Sequence, residues 1–439
     1  MFLRRGVLFL LAALVASAAP NPAAAPSRPL AQRLERLLKS PALRRSLVGV
    51  RVVDLSDGEL VFDHNGSLAF IPASNTKLFS GAFILAKLGP AYRFHTQVLA
   101  GRAVDSNGVI SGSLTLVGGG DPSFSTRVFP FENCDAMPGP SPGLLELAIT
   151  VADGGVKEID GDIVADDSRY PYEPYGPDWT VDDIGGEDAL AVSAWMAGEN
   201  TGVLRPAAAP VYRDPALAIA EEFRQLLIAR GVFVRGQARA HHRQPDSPWI
   251  PLAGVVLAER TSPPLRELLR TLEKCSVNVY AEALVLEAAL HAEGTLPSRE
   301  RAFGIWLEFL KSLGVPVDQL ELNDASGLSR SNLVTPRSVT TLLSAAARAP
   351  WREEWMRALP VGARDGTLMR RFADLGAKGA LAPRIRAKTG TLRHVAALSG
   401  YAGDRYAFSI LVNHFLPSDR LAVLRGIDTI ALEIAASSE

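Results

Sequence analysis

Apolar and polar positions alternate in "SLVGVRVVDLSDGELVF", Ser46 to Phe62, around Ser56-Asp57-Gly58, which predicts a β-hairpin. The period then changes. Leu78, Phe79, Ala82, Phe83, Leu85 and Ala86 give the broad apolar face of a helix, which Gly89-Pro90 stops. Pro72 disfavours helix before Ala73, which puts Ser74 in the first turn. From about Phe94 the texture becomes short strands broken by Gly and Asp, with a helix near Leu144–Ala152 and a strand in "EIDGDIVADDS". The aromatic, proline-rich and acidic "YPYEPYGPDWTVDDIGGED" reads as an ordered loop. A helix from Ala216 to Arg230 and a strand in "GVFVRGQARA" follow. Helices dominate from about Pro263 to Ala347, and "RIRAKTGTLRHVAALSGYAGDRYAFSILVNHF" has room for three strands before a last helix near Ser418–Ala436. Strands at both ends with helices between them predict one sheet built from both termini and covered by helices. The expected division is a main domain from residues 26–90 and 255–439, interrupted by a β-rich insertion over 91–254.

Composition adds the compartment. At 439 residues, 47% hydrophobic and 21% charged, the chain is globular and long enough for two or three domains. Its formal charge of −1, without a long run of one sign, gives no reason to expect a nucleic-acid partner. Arg4 and Arg5, the apolar run Gly6–Val15 and the small residues Ala16-Ser17-Ala18 form a secretory signal, assigned to residues 1–25, so export is expected. No later apolar stretch is long enough to span a bilayer, so no integral membrane segment is expected after cleavage. Cys134 and Cys275 are expected as free, partly buried thiols in different domains, although an oxidising compartment would let them pair. The scattered histidines, and the lack of H-E-x-x-H or C-x-x-C, give no ground for a metal or cofactor.

Chemistry enters with Ser74 and Lys77, which share a helix face. A serine hydroxyl needs a base to take its proton, and a lysine serves once burial or nearby cations lower its pKa. Alone the spacing means little, because a chain this long contains roughly one S-x-x-K by chance. Two later segments supply what such a serine needs. Ser276 and Asn278 precede a helix, where a hydroxyl and an amide two residues apart can face a cleft; otherwise they form a helix cap. Lys388, Thr389, Gly390 and Thr391 fall on a strand. There the lysine and Thr389 can bind a carboxylate, Gly390 lets substrate lie against the strand, and the Thr391 N–H can join that of Ser74 in meeting an oxyanion. Alone this segment is a surface hairpin. All three motifs, in this order and these settings, are the set used by β-lactamases and penicillin-binding proteins.

The likeness extends further. "PASNTKLF", "LVGGGDPSFS", "DGDIVADDS", "SPPLRELL", "SVNVYAEAL", "DASGLSRSNLVTP", "DGTLMRRF" and "AKTGTL" occur in order, and from about residue 30 onward the chain resembles the D-alanyl-D-alanine carboxypeptidase/endopeptidase family, the class C low-molecular-mass penicillin-binding proteins. The resemblance implies a mixed α/β fold: a penicillin-recognising, β-lactamase-like domain with an antiparallel sheet flanked by helices, and a β-rich insertion after the nucleophile helix. It implies that Ser74 attacks the penultimate D-alanine carbonyl of a peptidoglycan stem peptide and that Lys77 accepts the proton. Ser276 would relay a proton to the leaving amine, and Asn278 would hold Lys77 and the substrate amide. Lys388 would lower the Lys77 pKa and, with Thr389, engage the terminal carboxylate. β-Lactams would acylate Ser74 and leave slowly, and the setting would be the periplasm or cell envelope.

Departures stand beside it. Val277 occupies a position where aspartate is common, and Arg393 and His394 stand where small residues are usual; His394 is expected to be an exposed strand residue. The chain runs from Asn200 to the helix near Ala216 without room for the small third domain that many members carry. A β-lactamase or esterase on the same fold, or a non-catalytic wall-binding homologue, is the alternative.

Overall fold

The computed structural model describes residues 27–136, 141–184, 186, 188–200 and 212–438. The expected signal (1–25) and most of the stretch where a third domain is expected to be missing therefore lie outside the described residues. Helix α1 (Ser27–Leu38) leads into the hairpin β1 (Leu47–Asp54) and β2 (Leu60–His64), and a 3-10 turn at Ala73–Asn75 opens α2 (Thr76–Leu88). Next come β3 (His95–Ala100), β4 (Val109–Ile110), β5 (Leu114–Val117), α3 (Pro142–Asp153), β6 (Glu158–Ile159) and β7 (Ile163–Pro171). The segment closes with α4 (Pro215–Ala229), β8 (Phe233–Val234), β9 (Ala238–Arg243) and β10 (Val255–Thr261). Helices α5 (Leu265–Cys275), α6 (Asn278–Glu293), α7 (Arg299–Ser312), α8 (Pro336–Ala346) and α9 (Arg352–Ala358) follow. The chain ends with β11 (Ile385–Leu392), β12 (Val395–Ala402), β13 (Tyr406–Asn413) and α10 (Arg420–Ala436).

The termini build one antiparallel sheet in the order β11-β12-β13-β1-β2 among the described residues, and β1 pairs with β13 from Leu47 opposite Asn413 to Asp54 opposite Tyr406. Strands β12 and β13 are buried at every position, which explains why "VAALSGYA" and "YAFSILVN" read as near-continuous small and apolar runs rather than alternating ones. One face packs Ala397, Tyr401 and Leu411 against a core from α2, α5, α6, α7 and α8. The other packs Val50, Phe408 and Ile410 against α1 and α10. Helix α6 runs through the middle and is buried from Val279 to Leu290.

A second sheet, β10-β3-β5-β7-β9, carries α3 and α4 and has its own apolar core. Its outer strand β10 pairs with β3, with Thr261 opposite His95. That strand lies beyond residue 254, where the insertion was expected to end, and only its cross-strand partner reveals the membership. The cysteine expectation needs correcting. Cys134 and Cys275 are joined as a disulfide across 141 residues, their Cα atoms 5.3 Å apart. It links the loop after β5 to the last residue of α5, bridging the two regions whose separation had argued for free thiols.

Candidate active site

Three elements converge on Ser74. The 3-10 turn holds it half-buried at the mouth of α2, and Lys77 follows on the same face, fully buried. The Lys77 ammonium Nζ lies 3.1 Å from Ser74 Oγ, 2.5 Å from Asn278 Oδ1 and 2.7 Å from the Ser326 carbonyl. Burial pushes the Lys77 amine down to about 8, while the carboxylates of Asp324, Glu273, Glu282 and Asp188 pull the other way. The loss of water around the amine is thus the largest cause of the shift, and the repulsion between Lys77 and Lys388 acts in the same direction.

The Ser326 carbonyl is itself held in place. Glu282, buried on α6, accepts the N–H groups of Ala325 and Ser326 at 3.0 and 2.9 Å and pairs with Arg299 at 2.9 Å. Asp324 accepts from Gly327 N–H, Ser329 N–H and Asn332 Nδ2, each at 2.7 Å, and from Trp179 Nε1 at 2.8 Å. Gly327 adopts φ +87°, and a Cβ there would lie 1.9 Å from the Ala73 carbonyl, so only glycine brings this loop against the serine turn.

Ser276 follows the last residue of α5 in the left-handed conformation, φ 64°, and Asn278 is the first residue of α6. Ala73, beside Ser74, is also left-handed at φ 49°. Two non-glycine residues in this region flank one site, each costing on the order of 1–3 kcal/mol. Asn278 uses both ends of its amide, accepting from Lys77 and donating to the Asp188 carbonyl at 2.8 Å.

The third element is β11, the sheet's edge strand. The N–H of Ala387 leaves the sheet to donate to the Pro360 carbonyl, so the N–H groups of Thr389 and Thr391, two and four residues on, face the same open side. Asn75 Nδ2 donates to the Lys388 carbonyl at 3.0 Å and ties the strand to the serine turn. Lys388 is fully buried and donates to Ser276 Oγ at 2.8 Å and the Thr389 carbonyl at 3.2 Å. Burial pushes its amine down to about 7, with the charge of Lys77 adding to the effect and Glu273 opposing it. The sequence reading had Lys388 meeting a ligand directly; its ammonium instead lies beneath the cleft and reaches it through Ser276. Thr389 lines the cleft, its hydroxyl 2.9 Å from Thr367 Oγ1.

Gly390 also needs correcting. A Cβ there would lie 2.6 Å from the Pro72 carbonyl and 3.2 Å from Asn75 Nδ2, so its missing side chain makes room for the serine turn and not for a ligand. His394 sits in the β11–β12 turn at φ 67°, with Nδ1 2.8 Å from the Phe415 carbonyl, and is not a strand residue.

The result is a cleft of about 240 Å³ lined by Ser74, Ser276, Asn278, Gly327, Thr389 and Thr391. Every residue expected from the sequence is at this cleft or directly beneath it. The sequence reading missed the Asp188 carbonyl, Thr367 and the carboxylates Glu273, Glu282 and Asp324. "DASGLSRSN" and "SVNVYAEAL" contained two of these carboxylates, but nothing in a linear string says that an acid faces inward.

The chain matches the D-Ala-D-Ala carboxypeptidase 3 (S13) family over residues 30–210 and 206–433. It is 32% identical to the D-alanyl-D-alanine carboxypeptidase of Actinomadura sp. (strain R39), covering 92% of this chain and 84% of that protein. It is 30% identical to carboxypeptidase DacB of Mycolicibacterium smegmatis over the same shares of the two chains. Its fold is that of penicillin binding protein 4 (dacB) from Haemophilus influenzae, with a TM-score of 0.77 at 21% identity, over 92% of this chain and 99% of that one. Matches at both ends of the chain, together with the fold, place it: the protein belongs to the D-Ala-D-Ala carboxypeptidase 3 (S13) family.

Proposed function

We propose that this protein is an exported serine D-Ala-D-Ala carboxypeptidase or endopeptidase that acts on peptidoglycan stem peptides through an acyl-enzyme on Ser74. The observation that carries the reading is the placement of Ser74 Oγ 3.1 Å from the buried amine of Lys77, at the floor of a cleft whose walls come from α6 and β11. Neutral Lys77 takes the serine proton as Oγ attacks the penultimate D-alanine carbonyl. The N–H groups of Ser74 and Thr391 receive the oxyanion, supported by the place of Thr391 on the open edge of β11 beside the Ser74 turn. Ser276 passes its proton to the departing amine as it takes one from the Lys388 ammonium that donates to it. Water then hydrolyses the acyl-serine ester, with Lys77 returning its proton to Ser74 Oγ and the water's proton restoring Lys388. Asn278 holds Lys77 with its carbonyl, and Thr389 takes the substrate carboxylate, with Lys388 supplying positive potential from below. A β-lactam enters by the same attack, in keeping with H. influenzae penicillin binding protein 4, which has been solved in complex with a β-lactam. The site of action is the cell envelope outside the cytoplasm. Among the described residues no helix is long and apolar enough to cross a membrane.

The test is mass spectrometry of purified peptidoglycan fragments incubated with the enzyme and with Ser74→Ala. Loss of a terminal D-alanine assigns the carboxypeptidase, and cleavage of a cross-link assigns the endopeptidase. Fragments unchanged by the wild type, or changed equally by both proteins, overturn the reading.

A further inference from the structure

The steps above leave one acid unused. Glu273 stands three residues before Ser276 in the last turn of α5, fully buried, and neither carboxyl oxygen has a hydrogen-bond partner among the described residues. A recess in α2 receives it: at Gly81 a Cβ would lie 2.2 Å from Glu273 Oε1 and 3.3 Å from Trp355 Cζ3. Gly81 is one turn beyond Lys77, so the recess and the catalytic amine share a face of α2.

Burial pushes the Glu273 carboxyl up to about 8, while Lys388 from β11 and Lys77 from α2 pull it back toward ionisation. The other cations of its own helix are engaged elsewhere. Lys274 binds the Leu359 carbonyl and Asp365, and Arg270 binds Glu267 and faces Glu354. The remaining acids that act on Lys77 are Asp324, Glu282 and Asp188. A buried carboxylate without hydrogen bonds is destabilising, and an apolar residue of its size would suit the fold better. Its charge acts on both buried amines, and that gives it a use.

We propose that Glu273 is a positioning residue for acylation, the shared counter-charge of Lys77 and Lys388. In the reactive form Glu273 is negative, Lys388 carries the ammonium, and Lys77 is neutral and able to take the Ser74 proton. As that proton arrives the negative charge also steadies the new Lys77 ammonium. Glu273 itself neither accepts nor releases a proton in the step. This rests on the acyl-enzyme reading above.

The experiment is the rate of labelling by a fluorescent penicillin from about pH 5 to about pH 10 for the wild type, Glu273→Gln and Glu273→Met. Glu273 carries its charge above about pH 8, so removing it lowers both lysine pKa values there and moves the alkaline limb to lower pH by about one unit, a tenfold change in rate at a fixed pH on that limb, while the acid limb moves less. Both variants shift alike, because charge and not hydrogen bonding is lost, and their Tm values stay level or rise. Superimposed profiles in a wild type that labels overturn this inference and leave the acyl-enzyme reading standing. Variants that fail to fold, or melt well below the wild type, make Glu273 structural and also overturn it. A wild type that does not label overturns both.

Discussion

Titrating the enzyme tests the catalytic base directly. An exposed lysine titrates near 10.5, whereas burial brings Lys77 to about 8 and Lys388 to about 7. The productive form has neutral Lys77 and charged Lys388. Taking the two as independent, roughly 6% of molecules hold that form at pH 7.5, against about 0.1% if both amines kept their ordinary values. Burial thus enlarges the reactive population about 60-fold, equivalent to about 2 kcal/mol. Acylation by a fluorescent penicillin, followed by stopped-flow, rises about tenfold per pH unit below about pH 7, is flat near 7.5 and falls above about pH 8. The sign follows from the roles: acid protonates the base, and alkali discharges the cation beneath Ser276. A rate that climbs steadily to about pH 10 would mean that Lys77 titrates as an exposed amine, and its role as base would fail.

Three further outcomes follow from particular contacts. Replacing Cys134 and Cys275 by serine frees a span of 141 residues, and loop-closure entropy puts the loss at about 5 kcal/mol, so Tm falls by about 6 °C in a thermal melt. Labelling also slows, since Cys275 precedes Ser276; an unchanged melt and rate would mean that the bridge constrains nothing. Gly390→Ala puts a methyl 2.6 Å from the Pro72 carbonyl and forces β11 off the serine turn, so acylation drops at least about tenfold, and a wild-type rate would show the strand free to shift. Lys388→Ala removes the ammonium that donates to Ser276, so turnover of a D-Ala-D-Ala peptide falls about 100-fold or more, a larger loss than the accompanying fall in Tm accounts for; a large fall in Tm with activity retained would make the lysine structural.

What the residues disclosed in advance follows from how local each signal is. The terminal sheet and its helical cover were visible because β1, β12 and β13 are strongly apolar and bounded by turn residues. The meeting of the candidate residues at one cleft was legible because their three motifs each sit at a helix start or on a strand, where spacing fixes direction. Pairings between distant segments were not visible. The Cys134–Cys275 bridge, the addition of β10 to β3 and the burial of Glu273 against Gly81 depend on which surfaces meet, and neither periodicity nor motif spacing encodes that. Gly390 shows the same limit at one residue, since a glycine on a strand announces a close approach without saying what approaches.

The central claim is that the Ser74 hydroxyl is the nucleophile, and covalent labelling tests it most directly. Purified wild type, Ser74→Ala and Ser80→Ala are treated with penicillin, digested and examined by mass spectrometry. Ser80 is the control because it is buried about one turn into α2 and donates to the Ala325 carbonyl at 2.8 Å, away from the cleft. The penicilloyl mass appears on the peptide carrying Ser74 in the wild type and Ser80→Ala, and is absent from Ser74→Ala. Labelling that survives in Ser74→Ala, or that maps to another residue, contradicts the account.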